Sequence, residues 1–374
     1  MHFVAHHRLD GAAGVGGATL ALGAALAARG CVVSYFSFDD AFGLAGGGEI
    51  SRMVRFPWRV ASHLSRTAMN YDVVDATTGD AWLWASRRRQ GVRPALVTRA
   101  HGLEQVTTED LRRRARAGEL TLSRKYSLYH GGYRLWEVRR SLVGADAQIF
   151  LNESDRDYAV QRMGVRAATA SVLPNGVADR LLDLPRVEPA TTASPVALAF
   201  VGSWIPRKGT RAMVAMASEL RSRGVAFTLR LLGTGAPEAE VLSAFAPEVR
   251  DRITVTPRYD PAELPALLHG AEVLLHASWT EGFSLALVEG MACGLAPVAS
   301  RAGGATTVIR DGETGILLLD ESGRSLADGV ARLAGERATL GRLRVAAQAS
   351  MQALRWDSIA ARTIVTYRAA LRAL

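Results

Sequence analysis

Short apolar runs alternate with longer stretches of helical periodicity along almost the whole chain. Twelve runs are predicted as strands, six in each half of the sequence: residues 3–6, 32–38, 73–76, 95–98, 147–151, 170–173, 197–201, 228–232, 253–256, 273–276, 297–300 and 316–319. Helical patterns such as 210–222 and 262–269 separate these runs. Short apolar strands between helices are typical of parallel sheets that carry helices on both faces.

Two such alternating halves predict an α/β protein with two doubly wound domains. A linker over 178–195, which contains Pro185, Pro189 and Pro195, separates the halves. We therefore expect a first domain over 1–178, a second over 179–355 and an amphipathic C-terminal helix over 356–374. Open parallel sheets bind ligands at the carboxyl ends of their strands. The expected site is thus the cleft between the two domains.

Composition supports this interpretation and indicates a compartment. The chain has 374 residues and is 48% apolar, which is enough for two substantial cores. Its two cysteines, Cys31 and Cys293, are far apart, as expected in a reducing setting. The opening strand has none of the basic residues of a secretory signal. The Gly- and Ala-rich run 12–28 is too weak for a membrane span and predicts the first helix. We expect a cytoplasmic protein.

The positive charge leaves two interpretations open. The net charge is +9, and lysine occurs only at Lys125 and Lys208. An arginine-rich segment with apolar neighbours could lie on the anionic inner face of a membrane, or it could be a solvated surface. No nucleic-acid partner is expected, since no recognised binding motif or aromatic platform accompanies the charge. The segment in question carries Arg52, Arg55 and Arg59 among Met53, Phe56, Pro57 and Trp58. Separate arginine clusters in the first domain are Arg87–Arg89, Arg112–Arg114 with Arg116, and Arg139 with Arg140.

The most informative motif joins a predicted strand to a helix. Glu281 and Glu289 lie eight residues apart, with one before the predicted helix and the other inside it. Unpaired amides in the first turn of a helix bind anions. Such a pocket suits a ligand that is part phosphate and part polyol, as a nucleotide-sugar is. Two surface glutamates with Ser284 as a simple N-cap are the alternative, but Gly294 and Pro297 agree with the strand–turn–helix architecture.

The segment resembles the Glu-x7-Glu signature of retaining GT-B glycosyltransferases in glycosyltransferase family 4, the glycosyl transferases group 1. Residues 296–300, the Gly303-Gly304 turn and residues 311–315 also follow the family pattern. The resemblance covers most of the C-terminal half and is weaker in the N-terminal half. It implies a GT-B fold, with two facing Rossmann-like domains and a last helix that crosses back to the first domain.

The resemblance also implies roles for individual residues. Glu281 would bind the transferred sugar, Lys208 would stabilise the departing diphosphate, and His101 would contact the sugar from the first domain. Gly16 and Gly17, in a Gly-rich loop over 11–17, would contact donor phosphate and acceptor. The remaining donor-binding residues are Glu289, Gly282, Phe283, Ser284, Leu285, Gly202, Arg207, Gly233 and Tyr259. His6 and His7 end a strand and are either site residues or polar loop residues.

One departure qualifies the implied phosphate site. The family usually has an arginine directly after the glycine that corresponds to Gly202, and this chain has Ser203. Arg207 is the candidate to replace its charge. No Asp-x-Asp metal clamp is present, so we expect no metal and no other cofactor.

The implied function is retaining transfer of a hexosyl group. The donor would be a nucleotide-sugar, UDP- or GDP-linked, and the acceptor a hydroxyl of a glycan, a lipid-linked sugar or a small molecule. One alternative is a nucleotide-sugar-binding protein with weak or no transfer activity. The other is a basic nucleic-acid-binding protein. An epimerase or phosphorylase of the same fold is less consistent with the sequence, because epimerases lack the Glu-x7-Glu context and a phosphorylase would need a pyridoxal-phosphate lysine in a different setting.

Overall fold

The structure is a computed structural model that describes residues 1–9, 14–43, 48–89, 91–188 and 195–374. The chain divides into two compact units. The first unit comprises Met1–Gly176 together with Trp356–Leu374, and the second comprises Val177–Arg355. Each unit is built around its own six-stranded sheet.

The sheet of the first unit has the order β2-β1-β3-β4-β5-β6, and all its pairings are parallel. The central strands are buried along their whole length, as expected where helices cover both faces. The strands are β1 (His2–Val4), β2 (Ser34–Phe36), β3 (Val73–Thr77), β4 (Ala95–Ala100), β5 (Ala147–Phe150) and β6 (Ala170–Val172). The helices are α1 (Gly14–Ala28), α2 (Phe38–Phe42), α3 (Glu49–Thr67), α4 (Trp82–Ala85), α5 (Glu104–Arg116), α6 (Arg124–Leu128), α7 (Arg134–Val143) and α8 (Glu153–Tyr158).

The sheet of the second unit has the order β12-β11-β10-β7-β8-β9, again with parallel pairings throughout. The strands are β7 (Val196–Val201), β8 (Phe227–Leu232), β9 (Ile253–Thr256), β10 (Val273–His276), β11 (Ala296–Ala299) and β12 (Ile316–Leu317). The helices are α9 (Asp179–Leu182), α10 (Thr210–Ser222), α11 (Glu238–Ser243), α12 (Leu264–Leu268), α13 (Leu285–Ala292), α14 (Gly303–Val308), α15 (Gly323–Gly335) and α16 (Arg337–Ser350).

Each sheet has a point where the strand order reverses. In the first unit the chain runs from β1 to β2 on one side and then returns to β3 on the other. In the second unit β7 is followed outward by β8 and β9, after which β10 pairs with the opposite edge of β7. Loops diverge at such a switch point and leave a crevice at the carboxyl ends of the strands. The loops after β7 and β10, and those after β1 and β3, are therefore the places to look for ligand sites.

The last helix, α17 (Trp356–Arg372), belongs to the first unit although it follows the second in sequence. The Tyr367 hydroxyl donates to Asp75 Oδ2 over 2.6 Å, and Arg99 donates to the same carboxylate over 2.8 Å. At the other end of the helix, a Cβ at Gly176 would lie 2.4 Å from the Trp356 indole, so only glycine fits under this ring. These contacts confirm the predicted return of the C-terminal helix to the first domain.

All twelve predicted strands are present, with ends displaced by a few residues. The predicted helix 262–269 is shorter than expected, because Pro261–Glu263 form a 3-10 turn and α12 begins at Leu264. The linker region contains a short helix, α9, and its residues 189–194 lie outside the described residues. The start of the first helix at residues 12–13 also lies outside them.

Candidate functional site

The loops after β7 and β10 approach each other at the switch point of the second unit. Gly209 has a φ of 76°, and a Cβ there would lie 2.1 Å from the carbonyl oxygen of Ala277. The Trp279 amide donates to the Arg207 carbonyl over 2.9 Å. A residue without a side chain thus lets the loop after β7 lie directly against the loop after β10. Gly209 also precedes α10, which begins at Thr210.

This approach brings together the two residues predicted to be catalytic in the second unit. The Lys208 ammonium forms an ion pair with Glu281 Oε1, and the Ser278 hydroxyl donates to the same oxygen over 3.1 Å. Only 18% of the lysine side chain and 10% of the glutamate side chain are exposed. A desolvated ion pair at a strand-end crevice is an arrangement that a ligand with phosphate and hydroxyl groups can use.

The neighbours of Glu281 keep it ionised. Burial acts to raise the pKa of its carboxyl group, but the nearby Lys208, with a smaller contribution from Arg207, lowers it below the ordinary value. The Arg207 guanidinium lies 3.5 Å from the Thr280 carbonyl oxygen and is partly buried against this turn. It is therefore placed beside the candidate site, where its charge adds to that of Lys208.

The position of Ser203 explains why it does not take part in this cluster. Its side chain is exposed, and its carbonyl oxygen accepts a hydrogen bond from the Ile205 amide over 2.9 Å. Gly202 before it has a φ of 149°, and a Cβ there would lie 3.3 Å from the Phe200 ring and 3.9 Å from Lys208 Cε. Gly202 thus packs between the Phe200 ring and the aliphatic part of Lys208, in a backbone conformation that favours glycine.

Helix α13 begins where the motif predicted it. Its N-cap is Ser284, whose side chain makes no cap hydrogen bond. The amides of the first turn therefore lack a side-chain acceptor and can serve an anion. Phe283 and Ser284 are buried, and a Cβ at Gly304 would lie 2.8 Å from Phe283 Cα. The start of α14 therefore packs directly against the turn at Phe283 and Ser284. Gly282 and Leu285, on either side of these two residues, are half-buried.

Glu289 lies one turn into α13 in a second polar cluster. Burial raises the pKa of its carboxyl group, and Arg180 partly offsets that effect. Burial, with Glu289 as the next cause, raises the pKa of Tyr259 to about 12. A Cβ at Gly233 would lie 3.0 Å from the Tyr259 ring. Tyr259 thus packs against Gly233 and lies near enough to Glu289 for that carboxylate to act on its pKa.

The switch point of the first unit carries histidines. His6 Nδ1 lies 2.7 Å from Asp80 Oδ1, and the His6 amide donates to Asp80 Oδ2 over 2.9 Å. The His7 and His101 rings meet edge to face with their centroids 6.3 Å apart. Burial, followed by the charges of Arg99, His7 and His6, lowers the pKa of His101 well below its ordinary value. His101 is therefore a neutral imidazole at the carboxyl end of β4, where the sequence predicted it.

Gly16 and Gly17 are not loop residues, as the sequence had suggested, but belong to the first turn of α1. The helix already begins at Gly14, and residues 11–13 of the predicted loop lie outside the described residues. The Gly16 amide is nevertheless among those that a helix leaves unpaired at its start.

Three residues near the two clusters were not singled out from the sequence. His276 ends β10 and is 94% buried, since its relative exposure is 6%. Ser278 holds Glu281, and Arg180 acts on the pKa of Glu289. His276 could have been noticed in the sequence, because it is a histidine at the end of an otherwise apolar strand. The other two become recognisable only once the tertiary contacts are known.

Two negative findings concern the described residues alone. Within ranges 1–9, 14–43, 48–89, 91–188 and 195–374, no group of three or more His, Cys, Asp or Glu is placed to hold a metal ion. Among the same residues, none of the helices has the length and apolar character of a bilayer span. Metal independence stays a prediction.

Peripheral membrane contact also stays a prediction. In α3, Phe56 and Val60 are fully buried in the core, while Trp58 is 54% exposed and lies 5.7 Å from the Arg87 guanidinium. The apolar face of α3 thus packs inside the first unit, and one tryptophan with its arginines is left at the surface. Flotation with anionic liposomes checks whether that surface binds them.

The fold and the clusters at its switch points define a class of protein: two Rossmann-like units with the strand order of GT-B enzymes and a C-terminal helix returned to the first. Residues 195–336 match the glycosyl transferases group 1 family, and residues 12–180 match Glycosyltransferase Family 4. The chain belongs to this glycosyltransferase family.

Solved structures and curated relatives agree with the assignment. Sucrose-phosphate synthase from Thermosynechococcus elongatus superposes with a TM-score of 0.77 at 21% identity, and the match covers 100% of this chain and 99% of the synthase chain. Anabaena HepE in complex with UDP has a TM-score of 0.70 at 17% identity, covering 98% and 99%. These likenesses show the GT-B fold.

The curated relatives are D-inositol 3-phosphate glycosyltransferases. The protein of Nocardia farcinica is 28% identical in an alignment of 251 positions that covers 62% of this chain and 54% of the relative. That of Salinispora tropica is 30% identical in an alignment of 328 positions that covers 78% of this chain and 62% of the relative. The chain spans about half the length of the first of these relatives.

Proposed function

We propose that this protein is a retaining glycosyltransferase that moves a hexosyl group from a nucleotide-sugar to an acceptor hydroxyl. The observation that carries the proposal is the Lys208–Glu281 ion pair at the switch point between β7 and β10. It supplies a cation for phosphate and a carboxylate for sugar hydroxyls at one crevice. The membership in glycosyltransferase family 4 supports the same activity.

Each cluster has a part in the proposed reaction. Lys208, with Arg207 beside it, stabilises the charge that develops on the departing diphosphate. Glu281 accepts hydrogen bonds from the transferred sugar, and Glu289 accepts them from the ribose. The amides at residues 283–285 hold phosphate and sugar, while Tyr259 and Gly233 line the base. His101, Gly16 and Gly17 are the proposed substrate contacts of the first unit.

The proposed reaction is a same-face substitution at the anomeric carbon. The bond from that carbon to the β-phosphate oxygen breaks as the bond to the acceptor oxygen forms, and the anomeric configuration is retained. The acceptor proton passes to an oxygen of the leaving phosphate. No metal ion is required in this proposal, because Lys208 and the helix amides neutralise the diphosphate.

The relatives suggest which substrates to test first. The solved HepE structures contain UDP and UDP-glucose, and the curated relatives are named for D-inositol 3-phosphate. We therefore infer a UDP-sugar as first donor, with GDP-sugars next, and a polyol or sugar hydroxyl as acceptor. Lipid-linked and glycan acceptors belong in the same panel.

The test compares two lysines, the only two in the sequence. Release of nucleotide from UDP-, GDP-, ADP- and TDP-sugars is measured with and without acceptor, and with and without EDTA. Lys208→Met and Glu281→Gln are each expected to reduce transfer by about 100-fold or more, as loss of a group that stabilises transition-state charge does. Lys125→Met, at an exposed position in α6, is the matched control and should retain wild-type rates. Wild-type rates in Lys208→Met would refute the assigned role.

A second candidate is a nucleotide-sugar-binding protein with little transfer. The exposed Ser203 at the place of the usual arginine favours it, because one diphosphate cation is then missing. Saturable binding of a donor without release of nucleotide, for every acceptor in the panel, would select this candidate.

For the proposed transferase, NMR of the glycoside product distinguishes retention from inversion at the anomeric carbon.

A further inference from the structure

His276 faces the helix of the Glu-x7-Glu motif. Successive side chains of a strand point to opposite faces of the sheet. Leu274 contacts α13, since a Cβ at Gly290 would lie 2.6 Å from its side chain, whereas Val273 and Leu275 pack in the core on the other face. His276 follows Leu274 by two residues and therefore lies in the layer beneath the start of α13.

Among the described residues, no other residue forms a hydrogen bond with the buried imidazole of His276. Its residue is 6% exposed, and neither Nδ1 nor Nε2 has a hydrogen-bond partner within the described part of the chain. A buried polar group without a partner destabilises the folded state, and such groups are rare in native proteins. The unpartnered ring nitrogens of His276 therefore call for a functional explanation.

The charged groups that act on His276 are the two members of the ion pair. Burial lowers the pKa of His276 to about 4; Glu281 acts to raise it and Lys208 to lower it. The imidazole is thus neutral at pH 7, with one N–H donor and one acceptor nitrogen. A second cation beside Glu281 would compete with Lys208, and a neutral ring avoids that competition.

The ion pair must open for the proposed reaction, on which this inference rests. Lys208 and Glu281 are bonded to each other in the structure, so the ammonium has to leave the carboxylate to reach the phosphates of a donor. Glu281 would then be a largely buried carboxylate without its cation, which is costly. We propose that His276 is a positioning residue that becomes the hydrogen-bond donor to Glu281 when Lys208 turns to the donor phosphates.

A thermal-unfolding cycle tests this exchange without any substrate. In the wild-type background, His276→Leu removes an unpartnered polar group and should raise the Tm by about 2–6 °C. In a Lys208→Met background Glu281 has already lost its ammonium, so the imidazole is engaged and His276→Leu should lower the Tm. The inference thus predicts a change of sign between the two backgrounds. His276→Met, a flexible apolar replacement, repeats the cycle if His276→Leu does not fold.

The control lies on the other face of the same strand. Leu275→Ile conserves volume and lies in the core cluster on the opposite face of the strand, so it should shift the Tm equally in both backgrounds. A rise of the Tm for His276→Leu in both backgrounds would mean that the imidazole is never recruited. A fall in both would mean that it has a purely structural role. Either result overturns the proposal.

Kinetics distinguish positioning from simple stability. His276→Leu should cut donor turnover by about 10- to 100-fold although the protein is more stable, as small displacements of reacting groups do. His276→Gln keeps an N–H donor and should recover part of the loss. Unchanged kinetics in His276→Leu would contradict the proposal. If wild-type protein turns over no donor, the proposed function fails, while the unfolding cycle still decides whether His276 exchanges partners.

Discussion

Replacing Gly209 with alanine tests the close approach on which the candidate site depends. Gly209 lies in the left-handed region, with a φ of 76°, and its missing Cβ would lie 2.1 Å from the Ala277 carbonyl oxygen. The atom that it meets is backbone at the end of β10 and cannot rotate away. The substitution must therefore move the loop after β7 away from the loop after β10, and Lys208 away from Glu281.

Two energetic contributions oppose the alanine. A left-handed conformation costs a residue with a Cβ about 1–2 kcal/mol. Forcing an additional methyl group into packed structure costs about 1–3 kcal/mol more. The reduced entropy of the unfolded chain offsets about 0.4–1 kcal/mol. The expected loss in the free energy of unfolding is thus about 1–5 kcal/mol.

Gly224 is a matched control for the first contribution. It follows α10 with a φ of 70°, and a Cβ there would meet nothing within 4 Å. Gly224→Ala therefore carries the same conformational strain and the same unfolded-state effect without the overlap. The difference between the two variants isolates the close approach, at about 1–3 kcal/mol. For a domain of this size that difference corresponds to a Tm gap of about 2–12 °C.

Differential scanning calorimetry measures the Tm of both variants, and the donor assay measures their turnover. Gly209→Ala should have the lower Tm and should lose most donor turnover, whereas Gly224→Ala should keep wild-type turnover. Equal Tm values for the two variants would show that the overlap is relieved at no cost. Retained turnover in Gly209→Ala would show that the approach of the two loops does not position the ion pair. Either outcome would refute the reasoning.

Two further predictions concern the first unit. Burial raises the pKa of Glu137 to about 7 from its ordinary 4.5, so its proton stabilises the fold below about pH 4.5 and this contribution is lost as the pH rises through about 7. Urea unfolding at about pH 5 and about pH 8 should therefore show a smaller loss of stability in Glu137→Gln than in wild type; equal losses would contradict this. Tyr367→Phe removes the 2.6 Å bond to buried Asp75 and should cost about 1.5–3 kcal/mol in the same assay, whereas Tyr158→Phe, at the surface, should cost little. A Tyr367→Phe loss no larger than that of Tyr158→Phe would contradict the second prediction.

Much of the candidate site could be located from the sequence because its elements are local. The end of β10, the Gly-containing turn and the start of α13 all lie within residues 273–292, so strand and helix patterns place them directly. The same holds for Lys208 between a strand and Gly209. Gly16 and Gly17 at the start of α1 were misjudged as loop residues, because helical periodicity and loop composition overlap in a stretch of Gly and Ala.

The pairing of distant side chains could not be predicted by pattern alone. Lys208 and Glu281 are separated by 73 positions, and their contact depends on β7 and β10 being neighbours at the switch point. The resemblance to a family named both residues, but the ion pair between them was not foreseen. The sequence likewise does not tell whether the Arg207 side chain points to the site or to solvent. Only the approach of the two loops places it against the Thr280 carbonyl.

The sequence by itself determined the α/β class, the twelve strands and the position of the paired carboxylates, since apolar periodicity and turn residues act over a few positions. Only the tertiary structure decided which side chains share a layer. His276 is an ordinary strand-end residue until β10 is placed under α13, and then it is a buried imidazole beside an ion pair. The physical reason is that burial and electrostatic interaction depend on distances in space, which strand order and register set and local sequence does not.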